Sequence, residues 1–323
     1  MIASRLAAAR LTASRKLSYT PHIVSTPTTP FQENPYQDFA PEPPPALPAA
    51  EIDPNNPPWG VGAGVLVWLA SIALLLIVQT AAVLPYVFYK YRGANIAEIT
   101  AVLTTDANVL LVGIISTIPA HLLTLLLVWA LVTHFGRRPF RETIGWSWSE
   151  NVGLWTSVAI AVGLLALGLA FTYLLGGAKT PFDQMLESSP SAKLATAFLA
   201  TATAPIVEEM VYRGILYPAL QRAIGMAAAV VAVGTLFTFV HVAQYYNNLG
   251  VIAAVGMLGF ALTYIRARTG RLLPCFIIHL VFNGIQCIGL VVEYLQLQNR
   301  NNGTTETTLN SLAQTAHALA LIF

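Results

Sequence analysis

The decapeptide Ala204-Pro205-Ile206-Val207-Glu208-Glu209-Met210-Val211-Tyr212-Arg213 places two carboxylates and a guanidinium inside an apolar segment. That segment runs from Leu194 to Leu216 and is long enough to cross a bilayer. An ionised side chain at bilayer depth costs roughly 3 kcal/mol on insertion scales, so such residues are rare and usually functional. Two adjacent acidic residues increase this cost. The decapeptide therefore predicts a functional site within a membrane-spanning helix.

Composition places the whole chain in the same class. Of the 323 residues, 55% are hydrophobic and only 10% are charged, whereas soluble domains are roughly 25% charged on average. Spanning a bilayer takes ~20 mostly apolar residues, and candidate windows lie at about 60–89, 108–134, 152–175, 192–217, 226–244, 249–265 and 273–295. The apolar end at 309–323 is too short to cross. We therefore predict an all-α, polytopic transmembrane bundle of about seven spans.

Basic residues in the loops predict how these spans are oriented. Three arginines follow the second span and three more separate the sixth span from the seventh: Arg137, Arg138, Arg141, Arg266, Arg268 and Arg271. Short loops rich in Lys and Arg stay cytoplasmic, which places the N-terminus inside and both the 176–191 loop and the C-terminus outside. Lys90 and Arg92 fall on the predicted outer side and run against this rule. Topology accounts for the net charge of +2, so we expect no nucleic-acid partner.

Residues 1–58 differ in composition from the rest of the chain. They contain Pro-rich runs such as 41–48 with few aliphatic residues between them. Because such a segment cannot bury a core, we predict a disordered tail. The first twenty residues contain Arg and Ser but no acidic residue, a composition that also fits an organelle transit peptide.

The spacing of the charged residues in the decapeptide separates the two glutamates. On a helix Glu209 and Arg213 are four residues apart, so they share a face and can pair. Glu208 is rotated by about 100° and has no cation within sequence reach. Glu209 and Arg213 could form either a structural ion pair that fixes helix packing or part of the catalytic machinery. For Glu208, a functional role as general base is the stronger interpretation.

Two later apolar segments contain polar residues at helical spacing. Phe237 precedes His241 by one turn near the end of the fifth span. His279 and Asn283 are also four residues apart, in the middle of the seventh span, so they point the same way. Two histidines and an asparagine on helices that must pack against a Glu-Glu helix predict a joint site.

Two other histidines of the apolar segments, His121 and His134, stand alone. A lone histidine in a membrane helix is often a packing residue whose ring finds a hydrogen-bond partner. We expect His121 and His134 to be of this kind.

These residues resemble a known family. Glu-Glu-x-x-x-Arg, then Phe-x-x-x-His, then His-x-x-x-Asn is the ordered pattern of the CPBP intramembrane proteases, the type II CAAX prenyl endopeptidase-like and lysostaphin resistance protein A-like group. The chain matches this pattern at every motif position: Glu208, Glu209, Arg213, Phe237, His241, His279 and Asn283. The resemblance covers about 130–295 and leaves the first span and the tail outside.

The resemblance suggests a division of the chain into four parts. The disordered Pro-rich tail at 1–58 precedes N-terminal transmembrane helices at 59–135. A catalytic membrane domain similar to the CAAX proteases follows at 136–295. The chain ends in a polar C-terminal tail with a short apolar end at 296–323.

The resemblance also implies that the bundle has a polar cavity inside the membrane, where a peptide bond of a membrane protein or lipidated peptide is hydrolysed, and it gives each motif residue a role. By similarity, Glu208 is the general base and His241 helps to hold and deprotonate the attacking water. His279 and Asn283 stabilise the oxyanion of the tetrahedral intermediate. Glu209, Arg213 and Phe237 support these catalytic residues.

A zinc site is the alternative within the enzyme class, because Glu208, Glu209, His241 and His279 could supply its ligands and a water could complete an open site. The chain has no His-Glu-x-x-His pair that would place two imidazoles on one helical turn. We therefore favour a glutamate-activated water with no metal cofactor.

Two alternatives belong to other functional classes. A proton-coupled transporter also places Glu, His and Arg in membrane helices, but transporters usually show inverted repeats or paired broken helices, for which the sequence gives no sign. The second alternative is a non-proteolytic scaffold, such as a bacteriocin-immunity protein. We expect an integral protein of a bacterial cytoplasmic membrane, or of an organelle membrane if the source is eukaryotic.

Overall fold

The computed structural model describes residues 52–301, and these residues form helices with no strand among them. The helices are α1 (Val61–Lys90), α2 (Ile96–Thr105), α3 (Ala107–Ile115), α4 (Thr117–Thr133), α5 (Phe140–Ile144), α6 (Leu154–Leu175), α7 (Pro181–Ser188), α8 (Pro190–Ala202), α9 (Ala204–Glu208), a π-helical segment (Glu209–Leu216), α10 (Tyr217–Ile224), α11 (Met226–Tyr245), α12 (Leu249–Thr269) and α13 (Leu273–Asn301). The predicted tail up to residue 51 and the apolar end at 309–323 lie outside the described residues.

The predicted all-α membrane bundle is confirmed. Within residues 52–301, six helical stretches are long and apolar enough to cross a membrane, and a bent pair of helices raises the number to seven. Large apolar side chains on α1, including Leu66, Leu76 and Ile77, are at least 60% exposed. Such a surface suits lipid and not water. The protein is therefore an integral membrane protein.

The fourth predicted span, at 192–217, is not a single straight helix. It consists of α8 and the continuous stretch from Ala204 to Ile224, which meet at Thr203 with a bend of 40°. Pro205 lies in the first turn after the bend. It has no backbone N–H and its ring crowds the preceding turn, so the α8 ladder ends there. The bend is followed directly by the two glutamates.

The π-helical segment that carries Glu209 and Arg213 lies at the centre of the bundle. All eight of its residues are buried, and it packs against α1, α4 and α12. Val211, Ile215 and Leu216 join the largest hydrophobic cluster together with Val128 and Val132 of α4. The N-terminal helices thus pack directly on the segment that carries the charged motif.

Residues 53–59 form a strap across the ends of α10 and α12. The fully buried Arg266 donates to the Asn55 side chain at 2.6 Å. Arg222 donates to the Pro57 carbonyl at 2.6 Å. Arg266, which the sequence analysis explained by topology alone, and Arg222 of α10 therefore hold the chain ahead of α1. The end of the predicted tail is thus packed against the bundle.

An ion pair ties the first two spans together outside the membrane segments. Lys90 Nζ lies 2.6 Å from Asp106 Oδ2, and the Tyr91 hydroxyl also donates to this carboxylate. The hydrogen bonds from Lys90 and then from Tyr91 hold the pKa of Asp106 well below its usual range. Lys90, which runs against the predicted orientation, is thus paired with an acidic residue.

Candidate active site

Glu209 and Arg213 form a fully buried ion pair. Arg213 Nη1 donates to Glu209 Oε1 at 2.9 Å, and both side chains have 0% exposure. The pairing predicted from their spacing is therefore present. The remaining Arg213 donors reach α12, where Nη2 donates to the Gly259 carbonyl at 2.8 Å and Nε to the Thr263 hydroxyl at 3.2 Å. These two α12 partners have no signal in the sequence, because neither carries a charge or a motif.

His279 is held by the same carboxylate. Its Nδ1 donates to Glu209 Oε1 at 2.9 Å, so this oxygen accepts from both His279 and Arg213. Glu209 Oε2 is buried and has no hydrogen-bond partner among the described residues. A chain of hydrogen bonds thus runs from Arg213 through Glu209 to His279, and it fixes the plane of the imidazole.

Glu208 occupies a different environment from its neighbour. Its side chain is 25% exposed, and its Oε2 lies 3.9 Å from His279 Nε2. That distance is longer than a direct hydrogen bond. Within residues 52–301, no Lys or Arg nitrogen lies within ion-pair distance of this carboxylate. Glu208 is therefore the accessible carboxylate of the two, and among the described residues it has no Lys or Arg partner, as its spacing from Arg213 predicted.

Phe237 brings the two predicted histidines to one place. Its ring centroid lies 4.8 Å from that of His241 and 6.1 Å from that of His279. The Arg213 Cζ lies 4.5 Å from the same ring, within cation–π range. A Cβ built on Gly259 would lie only 2.7 Å from the Phe237 ring, so this close approach requires glycine.

The backbone determines which nitrogen of His241 is available. His241 Nδ1 lies 2.7 Å from the Phe237 carbonyl oxygen, which can only accept. Nδ1 therefore carries the proton, and Nε2 of the neutral ring presents a lone pair. This is the tautomer that can accept a hydrogen bond from a water molecule.

Asn283 lies one turn after His279 on α13 and has a structural partner. Its Nδ2 donates to the Ala200 carbonyl at 3.0 Å, which ties α13 to the end of α8. One of its two amide hydrogens remains for another acceptor. Asn283 lies near the site because it is on the same helix as His279. Among the described contacts, it makes no hydrogen bond to Glu208.

The two histidines that we expected to be packing residues differ. His134 is exposed at the left-handed C-cap of α4. His121, in the first turns of α4, lies 2.9 Å from the Thr203 hydroxyl at the bend ahead of Glu208. The sequence predicted the same packing role for both residues, because no motif distinguishes His121 from His134.

The possible zinc ligands were tested against the structure. Glu209 Oε1 and His279 Nδ1 bind each other, and His241 Nδ1 binds a carbonyl. In the part of the chain that the structure describes, no group of three or more His, Cys, Asp or Glu side chains could hold a metal ion. As placed, the residues therefore do not fit a zinc site, and no step below is routed through a metal.

A comparison with known families agrees with the motif geometry. Residues 190–285 match the family model described as Rce1-like, the type II CAAX prenyl endopeptidases. Residues 190–285 are therefore similar to this family. No significant match was found among curated proteins or solved structures. All the motif residues lie inside the match, which falls within the 130–295 region of the resemblance. The Rce1-like match supports a CAAX-type intramembrane protease in general.

Proposed function

We propose that the protein is an intramembrane endopeptidase in which Glu208 activates a water molecule to hydrolyse a peptide bond. One observation carries this proposal. Glu208 is partly exposed and unpaired with Lys or Arg, and it lies beside an imidazole oriented by the buried Glu209–Arg213 pair. A free carboxylate beside a fixed imidazole suits general base catalysis.

In the first step, Glu208 accepts one proton from the water while His241 Nε2 accepts a hydrogen bond from its other O–H. The water oxygen then bonds to the carbonyl carbon, and the carbonyl electron pair moves to its oxygen to form the oxyanion. When the tetrahedral intermediate collapses, the C–N bond breaks and the proton on Glu208 passes to the leaving amine. The products are a carboxyl group and an amine, and Glu208 is again a carboxylate.

The oxyanion would be stabilised by His279 Nε2 and by the free amide hydrogen of Asn283. Because His279 Nδ1 already donates to Glu209, a ring that donates at both nitrogens is a cation. The Glu209 carboxylate supplies its counter-charge.

The substrate is a peptide bond in a membrane-associated protein or lipidated peptide, in keeping with a site on membrane-spanning helices. The Rce1-like match supports a protease over a proton-coupled transporter. The remaining alternative, a non-proteolytic scaffold, predicts that Glu208 can be neutralised without a change in peptide cleavage.

The decisive experiment compares wild type with Glu208→Gln after reconstitution in proteoliposomes. We expect cleavage of fluorogenic membrane peptides, with and without a prenylated cysteine, to fall by at least about 10³-fold, because the nucleophilic water loses its base. Glu150→Gln, at an exposed loop position, is the matched control. Mass spectrometry of peptides that accumulate in cells carrying Glu208→Gln would identify the substrate. Peptide release at the same background rate by wild type and Glu208→Gln would support the scaffold, whereas equal cleavage above background would show that Glu208 is not the base.

A separate measurement addresses zinc. We expect chelator-treated protein to retain its activity, because the donors as placed do not form a metal-ligand cluster. Activity that disappears with the chelator and returns only with added zinc would reverse this expectation.

A further inference from the structure

His121 lies outside the Rce1-like match at 190–285 but reaches the break that precedes Glu208. It sits in the first turns of α4, and its half-buried ring contacts the Thr203 hydroxyl across the helix interface. The helix α4 packs against both α9 and the π-helical segment. The side chain therefore joins the N-terminal helices to the segment that carries the catalytic carboxylate.

Thr203 lies where the Glu208 helix begins. It is the N-cap of α9, and its carbonyl accepts the Val207 N–H at 3.2 Å. Its hydroxyl lies 3.4 Å from the Leu199 carbonyl, the acceptor toward which it donates. The same hydroxyl oxygen lies 2.9 Å from His121 Nδ1, a normal hydrogen-bond distance. His121 thus secures the bend between α8 and α9 from the opposite helix.

The geometry of α9 directs the Glu208 side chain back toward this bend, because Cα–Cβ bonds of a helix tilt toward its N-terminus. Glu208 and His121 are also close enough to interact electrostatically. A shift of the Thr203 turn would move the carboxylate relative to His279.

We propose that His121 is a positioning residue for Glu208, acting through the Thr203 hydroxyl at the bend of the broken helix. The N-terminal helices are therefore part of the catalytic machinery and not only a membrane anchor for the Rce1-like domain. This inference rests on the proposed function, because its effect is measured on peptide cleavage.

The test uses three substitutions at one position in the full-length protein. His121→Leu should lower kcat by about 10- to 100-fold with little change in KM, because a displaced base affects the chemical step and not substrate binding. His121→Asn places an amide N–H where Nδ1 stood and should recover most of the activity. His121→Gln extends its amide toward the Nε2 position and should not. His134→Asn, on the exposed end of the same helix, is the matched control.

A double-mutant cycle with Thr203→Val identifies the partner. If His121 acts through Thr203, the kcat losses of His121→Leu and Thr203→Val will be strongly non-additive, and melting temperatures in detergent will show the same coupling. Additive effects, or rescue by Gln instead of Asn, would overturn the proposal. So would wild-type kcat in a folded His121→Leu protein while Glu208→Gln is inactive. If wild type cleaves no peptide, the proposed function fails and this inference falls with it.

Discussion

Glu208 and Glu209 are neighbours in the chain with different environments in the bundle. Glu209 has 0% exposure and accepts hydrogen bonds from Arg213 and His279 through one oxygen. Glu208 keeps 25% exposure and faces the other nitrogen of the same histidine. Single π-helical turns are frequent at functional sites, and here the π-helical segment begins between the two carboxylates. One carboxylate therefore supports the imidazole while the other is available for the reaction.

The substitution Glu209→Gln should reduce both stability and activity. It leaves the buried Arg213 with the Gly259 carbonyl and the Thr263 hydroxyl as partners but without a counter-charge. Breaking a buried pair costs about 3–5 kcal/mol of the free energy of unfolding. His279 also loses its counter-charge, so kcat should fall. Thermal unfolding in detergent and a cleavage assay measure the two effects.

Adding Arg213→Met to Glu209→Gln should restore part of the lost stability, because the uncompensated charge is removed. The restoration should be partial, since the bonds to α12 are lost as well, and activity should not return. Should Glu208→Gln unfold while Glu209→Gln stays folded and inactive, the roles of the two glutamates are the reverse of those proposed.

Among the elements, the strap at 53–59 depends on Arg266. This residue is fully buried and donates to the Asn55 side chain at 2.6 Å and to the Pro54 carbonyl at 3.0 Å. Its Nε has no hydrogen-bond partner among residues 52–301. Hydrogen bonds to charged groups contribute about 1.5–3 kcal/mol each. The strap is thus attached to the end of α12 by one side chain.

Arg266→Gln should lower the free energy of unfolding by about 3–6 kcal/mol, because the two charge-assisted bonds to the strap are lost. Limited proteolysis should then cut within 53–59 at protease concentrations that leave wild type intact. Arg268→Gln, two residues further along and exposed, is the control and should behave as wild type. If Arg266→Gln and Arg268→Gln were equally sensitive to the protease, the loss of a positive charge, and not the loss of the strap contacts, would explain the cleavage.

At the scale of the whole molecule, the orientation proposed from the basic loops can be tested by labelling. Arg138 and Lys179 are separated by one span, α6. A cysteine introduced at position 138 and a cysteine introduced at position 179 should therefore react from opposite sides of the membrane. We expect Arg138→Cys to label from the cytoplasmic side. The native Cys275 and Cys287 are buried, so unsubstituted protein should give little signal. Labelling of the introduced cysteines at 138 and 179 from the same side would contradict the seven-span arrangement.

The N-terminal region can be tested by two truncations that differ by nine residues. Removing residues 1–50 should leave cleavage unchanged, because this Pro-rich segment has no apolar periodicity and precedes the strap. Removing residues 1–59 also deletes the partners of Arg266 and Arg222 and should destabilise the protein. Loss of activity in a correctly inserted protein lacking 1–50 would instead identify that segment as a substrate or partner site.

The sequence by itself determined the class of this protein and the residues of its motif. Long apolar windows specify membrane helices because the bilayer leaves the backbone no other partners, and the structure confirms these helices. The four-residue spacing of Glu209 and Arg213 likewise predicted their pair, because that interaction lies within one helix.

Contacts between helices far apart in the chain were decided only by the tertiary structure. The bond from His279 to Glu209, the α12 partners of Arg213 and the contact of His121 with Thr203 join residues 46 to 82 positions apart. No periodicity encodes them, since each depends on which faces of two helices meet and how close their backbones come. The same packing left Glu208 as the accessible carboxylate and buried Glu209, because only one face of a central helix can be enclosed by its neighbours.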